Sequence, residues 1–356
     1  MKLSHRPAQI FSSVLAASAL LGCAGDPGVG DRTAALGECD EGGWECSSNS
    51  PEIDHYGFHD LNLFGLPNSA NITIEVINGR AQIVKDGISY DLMVKESRIM
   101  GARKGVPVLM GQDLQRAEIR LVLNGAPDYV IRIESVRATV FPYGDPDPLE
   151  AYTLSWYGPK LAPDSKRNVC RAVSSATSAP AAKRALPPRL DPDLLNLDKL
   201  ESVVFEGDRY DAQKKTTEPN FDDSWFNIGC AGHTLAKLQL MRHTLAASAP
   251  HYDISHEDRQ ATLKLLTADY CGTGRPFTIA GVKLVWQGDL MSFRSTPWKI
   301  EARWSSKGAT CLTLPRLWSQ DPDIVNQIAS ECSIPACDDE DPYKYNGASR
   351  VSALVP

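Results

Sequence analysis

The stretch 117–141, AEIRLVLNGAPDYVIRIESVRATVF, sets the fold of the first half of the chain. Apolar and polar residues alternate along it on both sides of Asn124-Gly125. Ile119, Leu121 and Leu123 fall on one face of the first arm, and Ile131 and Ile133 on one face of the second. Alternation with period two marks half-buried strands, so the stretch predicts an antiparallel hairpin with one buried side. The pattern spreads outward. NITIEVI (71–77) alternates, YTLSWY (152–157) follows, and strand signals fill the chain from about Phe58 to Tyr157. Strands at such short spacing predict a β-rich, sandwich or barrel-like domain over residues 39–165.

Beyond Tyr157 the signal changes. AVSSATSAPAAKRALPPRL (172–190) is rich in Ala, Ser and Pro and predicts a connection over 166–195. ESVVFEGDRYD (201–211) then reads as a strand and turn. CAGHTLAKLQLMRHTLA (230–246) spaces Leu235, Leu238, Met241 and Leu245 at helical intervals, and Pro250 closes it. A second helix starts at Ser255, an N-cap residue with Asp258 three positions on, and carries Leu263, Leu266 and Tyr270 to a left-handed stop at Gly272. PFTI (276–279), VKLVW (282–286) and KIEARW (299–304) predict a small antiparallel sheet. The expected fold class is therefore α+β: the β-rich domain, then an α+β domain over 196–337 with a helical hairpin and a small sheet, then a polar tail over 338–356.

The amino terminus is different in kind. Lys2 and Arg6 precede a short apolar run, AQIFSSVLAASAL (8–20), and Leu20-Leu21-Gly22-Cys23 resembles the bacterial lipobox. Residues 1–22 read as a secretory signal peptide, Cys23 as the lipid-bearing first mature residue, and 23–38 as a small, polar tether. Ala24 after the cysteine favours the outer membrane over the inner. Removing residues 1–22 takes away two bases and no acid, which leaves 35 basic against 44 acidic side chains, a net charge of −9. That balance gives no general attraction for nucleic acid or an anionic bilayer. The expected partners are a membrane, reached through the lipid, and an envelope protein or small-molecule ligand.

Nine cysteines stand at 23, 39, 46, 170, 230, 271, 311, 332 and 337. Setting Cys23 aside leaves an even number, which in an exported chain implies disulfides. Cys39 and Cys46 enclose a short glycine-containing loop that can close on itself. Cys230 at the start of one helix and Cys271 at the end of the next would meet if the helices form an antiparallel hairpin. Cys170, Cys311, Cys332 and Cys337 are left without assigned partners. The rival for Cys230 and Cys271 is thiol chemistry, with His233 three residues after Cys230 as its support. Asp269 faces the negative end of its helix dipole, and Arg275 or the N–H groups of Gly272-Thr273-Gly274 would offset it. His55 and His59 have metal-binding spacing on a helix, but Gly57 between them argues against one. No nucleophile elbow, zinc-protease, phosphate-loop or dinucleotide motif occurs. No catalytic residue, cofactor or metal is assigned.

Ala268-Asp269-Tyr270-Cys271-Gly272 resembles the signature of the ADYC-domain family of bacterial, largely myxobacterial, exported proteins. GDRYDA (207–212), WFNIGCAGHTLAK (225–237), EARW (301–304) and GATCLTLPR (308–316) are also similar to that family, so the likeness covers roughly residues 200 to 315. The resemblance implies a classification and brings no catalytic residue with it. Together these readings predict a disulfide-stabilised envelope lipoprotein acting as a binding or structural module. The other class is an extracytoplasmic hydrolase or thiol-dependent enzyme centred on Asp269, Tyr270, Cys271 and His233.

Overall fold

The computed structural model describes residues 50–139, 149–159, 165–170, 200–211, 213–219, 224–245, 254–278, 285–287, 299–338 and 347–354. All lie in one compact unit, Leu36–Pro356. The signal segment, Cys23, the tether, the Cys39–Cys46 pair and residues 171–195 of the connection fall outside the described residues.

The early strands are β1 (Glu52–Ile53), β2 (Tyr56–Gly57), β3 (Asp60–Asn62), β4 (Ile72–Ile74), β5 (Val76–Ile77), β6 (Arg80–Lys85), β7 (Ile88–Lys95), β8 (Arg98–Arg103) and β9 (Val106–Met110). They are followed by β10 (Glu118–Leu123), β11 (Ala126–Thr139), β12 (Leu149–Tyr157) and β13 (Arg167–Asn168). The second half holds β14 (Glu201–Glu206), β15 (Arg209–Asp211), β16 (Thr216–Glu218), β17 (Trp225–Cys230), α1 (Thr234–Leu240) and α2 (His256–Thr267). It ends with β18 (Val285–Gln287), β19 (Ile300–Ser305), β20 (Gly308–Leu312), α3 (Ile324–Glu331) and β21 (Arg350–Ala353).

The opening hairpin is β10–β11. Asn124 and Gly125 sit at φ 49° and 77°, the left-handed pair that a two-residue hairpin turn requires, and they join Leu123 to Ala126. Closely similar angles recur at Asn78-Gly79, Asp86-Gly87 and Lys104-Gly105. These turns convert the alternating sequence into an antiparallel meander. The large sheet runs β3-β17-β14-β12-β11-β10-β6-β7-β8-β9, with β4, β5 and β13 paired off this path. A four-stranded antiparallel sheet, β18-β21-β19-β20, carries the C-terminal residues.

The large sheet crosses the boundary expected at 166–195. β14 pairs with β12 through Ala151 and Val203, and β17 pairs with β14 through Val204 and Ile228. Every residue of β14 and β17 is buried. Val204, Phe226 and Ile228 join the core made by the meander, while Val203 and Phe205 join a second core with Leu235, Leu263, Tyr270 and Trp304. The composition of the connecting segment could not reveal this, because ladder pairing depends on strands far apart in sequence.

Three further expectations are corrected. Residues 347–354 of the expected polar tail (338–356) are built into the fold: β21 lies inside the small sheet, with Val351, Ser352 and Ala353 buried and the Trp304 indole N–H donating to Ser352 Oγ at 2.8 Å. The strand is too short for alternation to show. Residues 276–278 of PFTI form no strand; Phe277 packs instead against Tyr270 with ring centroids 5.9 Å apart. Cys230 ends β17, and α1 begins four residues later, because the ladder with Ser202 holds Cys230 extended. α1 and α2 do pack together, and His243, just beyond α1, hydrogen-bonds Thr262 of α2 at 2.7 Å. Val351→Asp should lower stability by about 3 kcal/mol or more, since it buries an unpaired carboxylate. Urea denaturation checks this, and a solvated tail would leave the midpoint unchanged.

Candidate functional site

The ADYC segment is the end of α2 and the loop that follows it. Ser255 caps the helix: its Oγ accepts from the Asp258 N–H at 3.1 Å and donates to Asp258 Oδ2 at 2.9 Å. From Arg259 to Thr267 every residue of α2 is buried, so its polar side chains need internal partners. Arg259 donates twice to Asp208, at 2.6 and 2.9 Å. The helix stops at Ala268, which takes the left-handed conformation (φ 52°, ψ 38°), ahead of the glycine that the sequence favoured.

Asp269 is fully buried. Its Oδ2 accepts from Lys264 Nζ at 2.5 Å and from the Gly274 N–H at 2.9 Å, so a lysine in the last turn and one loop amide offset the helix dipole. Its Oδ1 has no hydrogen-bond partner among the described residues, and the carboxylate also attracts the charge of Lys215. Arg275 points elsewhere, to Glu331 and Gln327 of α3. Lys264 also donates to the Lys214 carbonyl at 2.9 Å, which ties α2 to the turn between β15 and β16. Gly274 passes that same turn so closely that a Cβ would lie 2.0 Å from the Gln213 carbonyl oxygen.

Tyr270 stacks on Trp304 with ring centroids 5.1 Å apart. Its hydroxyl donates to Glu301 Oε1 at 2.5 Å and accepts the Arg316 N–H at 3.1 Å, while the Arg316 guanidinium donates to Glu301 at 2.8 Å. Burial first, then the Glu301 charge, pushes the phenol pKa well above its ordinary value. The residue is a neutral anchor between α2 and β19.

Cys271 is bonded to Cys332 at the end of α3, Cys170 to Cys230, and Cys311 to Cys337. This overturns the expected Cys230–Cys271 bridge. Cys230 is held by the large sheet beside Cys170, which follows β13, whereas the loop after α2 reaches α3. Cys271 therefore has no free thiolate to act as a nucleophile. Closing the 61-residue separation between Cys271 and Cys332 stabilises by about 4 kcal/mol in the chain-entropy account. Three disulfides belong to an oxidising, extracytoplasmic environment. Among the described residues no helix is long and apolar enough to cross a membrane.

His233 caps α1, its Nδ1 accepting the Leu235 N–H at 3.3 Å, and its ring stacks on His59 at 6.0 Å. His55 is exposed, and β2 separates it from His59 along the chain, so these two histidines do not form the metal pair their spacing suggested. No cluster of three or more His, Cys, Asp or Glu arranged for a metal occurs among the described residues. Asp269 and His233 share one electrostatic neighbour, Lys215, in the turn between β15 and β16. Lys215 is not singled out by the sequence, and a lysine in a hairpin turn, here beside Lys214, carries no signal that would have found it.

The family model for the ADYC domain matches residues 111–318. The chain belongs to the ADYC-domain family. The match begins earlier than the likeness of residues 200 to 315 and takes in β10, β11 and β12, which share one sheet with β14 and β17. No curated protein and no solved structure matches the chain. Within the ADYC domain, the alanine ends the helix, the aspartate neutralises a buried lysine, the tyrosine bridges to the small sheet, and the cysteine bonds α3.

Asp269→Asn should cost about 3–5 kcal/mol, because it leaves the Lys264 ammonium buried without a counter-charge. The double change Lys264→Met with Asp269→Leu should cost less than the sum of the singles in a double-mutant cycle. Acid should also weaken the fold. Burial, then Arg350, lowers the His243 pKa to about 3, and desolvation also lowers those of His59 and His233. A depressed histidine pKa contributes stability that is complete above about pH 6.5 and is lost as pH falls from there towards 3. Denaturation midpoints measured across that window should fall, and His243→Gln should flatten the slope.

Proposed function

We propose that this chain is an exported lipoprotein of the cell envelope, anchored in the outer membrane through Cys23, whose ADYC domain is a binding or structural module. The observation that carries this reading is the use of the ADYC segment in joining elements. Asp269 holds Lys264 and Gly274, Tyr270 holds Glu301, Arg316 and Trp304, and Cys271 is covalently bound to Cys332. A site that must bind and release substrate keeps a nucleophile or an acid exposed to it, whereas these side chains are fully buried or bonded. The export reading draws support from the lipobox-like Leu20-Leu21-Gly22-Cys23 and from the disulfides.

A nonreducing peptide map of the mature protein, alkylated while denatured, tests both halves of the proposal. The expected result is an N-terminal peptide that begins at lipid-bearing Cys23, together with no alkylated thiol. A free Cys271 thiol in the native protein would overturn the module reading, and an unmodified Cys23 would overturn the anchor.

A further inference from the structure

The loop after β3 is held firmly, yet it keeps large apolar side chains in water. Asn62, at the end of β3, accepts the N–H groups of Phe64 and Leu66 on its Oδ1 at 2.8 and 3.2 Å, and its carbonyl accepts the Gly65 N–H at 3.2 Å. The Leu63 carbonyl accepts the Ala81 N–H at 2.8 Å, which ties the loop to β6. Gly65 lies so near β5 that a Cβ on it would stand 2.8 Å from Val76 Cγ1. Phe64 and Leu66 flank that contact, and Ile77 is the next residue of β5. Phe64, Leu66, Val76 and Ile77 are 52, 54, 39 and 51% exposed. A contiguous apolar surface kept out of the core in this way marks a contact with something outside the chain.

Charge and area narrow down what covers it. Between Asp60 and Arg80 the only ionisable side chain is Glu75, in a chain that is 23% charged. Arg80 pairs with Ile77 across the β5–β6 hairpin, and Arg120 and Glu75 line a groove together with Ile77. Both arginines are exposed. An apolar centre with arginines at its rim matches the boundary of a lipid bilayer, where acyl chains give way to phosphates. Four part-exposed side chains offer on the order of a few hundred Å². A standard protein interface takes about 800 Å² from each partner, which this surface falls short of. A bilayer needs no such area once the chain is anchored to it, because the second contact is then intramolecular in effect. Ser50, where the described chain begins, follows Cys23 by 27 positions, a span of at most about 100 Å. The membrane is thus within reach. The other exposed apolar strand, β9, carries Val106, Val108 and Met110, but Arg103 and Lys104 precede it, Asp113 follows it and Pro107 interrupts it.

We propose that Phe64, Leu66, Val76 and Ile77 form a membrane-contact surface that dips into the bilayer carrying the lipid of Cys23, with Arg80 and Arg120 at the lipid phosphates. This rests on the anchor proposed above and deepens it. The lipid holds the chain at the membrane, and the loop after β3 sets which side of the fold faces it.

The test uses the full mature chain on vesicles of phosphatidylethanolamine with a minor share of phosphatidylglycerol, doped with a phospholipid that bears a diazirine near the head of its acyl chain. After flotation and irradiation, peptide mass spectrometry should find the label within residues 63–77. The triple change Phe64→Ser, Leu66→Ser and Ile77→Ser should lower that labelling about tenfold or more, and Trp318→Ser, another exposed aromatic, should leave it unchanged. Thermal denaturation shows whether the triple variant is folded at the assay temperature; Phe64→Ser alone, with a loss of about threefold, takes its place otherwise. Label on β9 or spread evenly over the surface, or labelling of 63–77 that survives these changes, would overturn the contact. So would a dimer of the unlipidated Cys23→Ser chain that the triple change breaks, since the surface would then belong to a second copy. Flotation without label in 63–77 fails the contact alone. A chain that does not float, with Cys23 unmodified in the peptide map, fails the anchor and the contact together.

Discussion

The structure depends on one strand being buried on both faces. In β14 side chains alternate between two cores: Val204 faces the meander, and Val203 and Phe205 face the helices and the small sheet. A strand in that position cannot slip by one residue without moving three apolar side chains into the wrong core and carrying Glu201 and Glu206 away from their partners. Those glutamates show how tightly the register is fixed. Glu206 accepts the N–H groups of Glu96 and Ser97 on one side, and Glu201 takes a two-point contact from Arg137 on the other. Each buried carboxylate is stabilising only because its donors are in place.

The ADYC loop fastens the second core to this strand in the same manner. It is short, but several elements meet at it: α2 before it, the β15–β16 turn through Gly274 and Lys264, β19 and β20 through Tyr270, and α3 through Cys271. The Tyr270 carbonyl accepts the Ala309 N–H at 2.9 Å, so even its backbone is committed to β20. A loop so constrained is poorly suited to open and close around a substrate. It is well suited to keep the side chains it touches, among them Lys264 and Trp304, in fixed positions.

Much of this was legible where the signal is local. The β10–β11 hairpin follows from its alternation and from Asn124-Gly125, and the start of α2 from Ser255. The offset of Asp269 by a loop amide was within reach too, because any carboxylate at a helix end needs donors. What was not legible was everything that depends on long-range pairing. A helical hairpin would bring Cys271 to Cys230, but Cys230 belongs to a sheet and Cys332 arrives from 61 residues away. The stop at Ala268 was hidden because alanine gives no local warning of a left-handed backbone; it adopts one where the chain turns Tyr270 onto Trp304.

The sequence by itself determined the β10–β11 hairpin and its turn, the start of α2, the oxidised state of the six described cysteines and the family. These are set by periodicity, by the few residues that tolerate positive φ, and by short motifs, all of which act over a few positions. Only the tertiary structure decided which cysteines pair, that two expected domains share one sheet, that the C-terminal strand is internal, and that His59 stacks on His233. Those outcomes depend on which surfaces must be buried against each other, and that is a property of the whole chain.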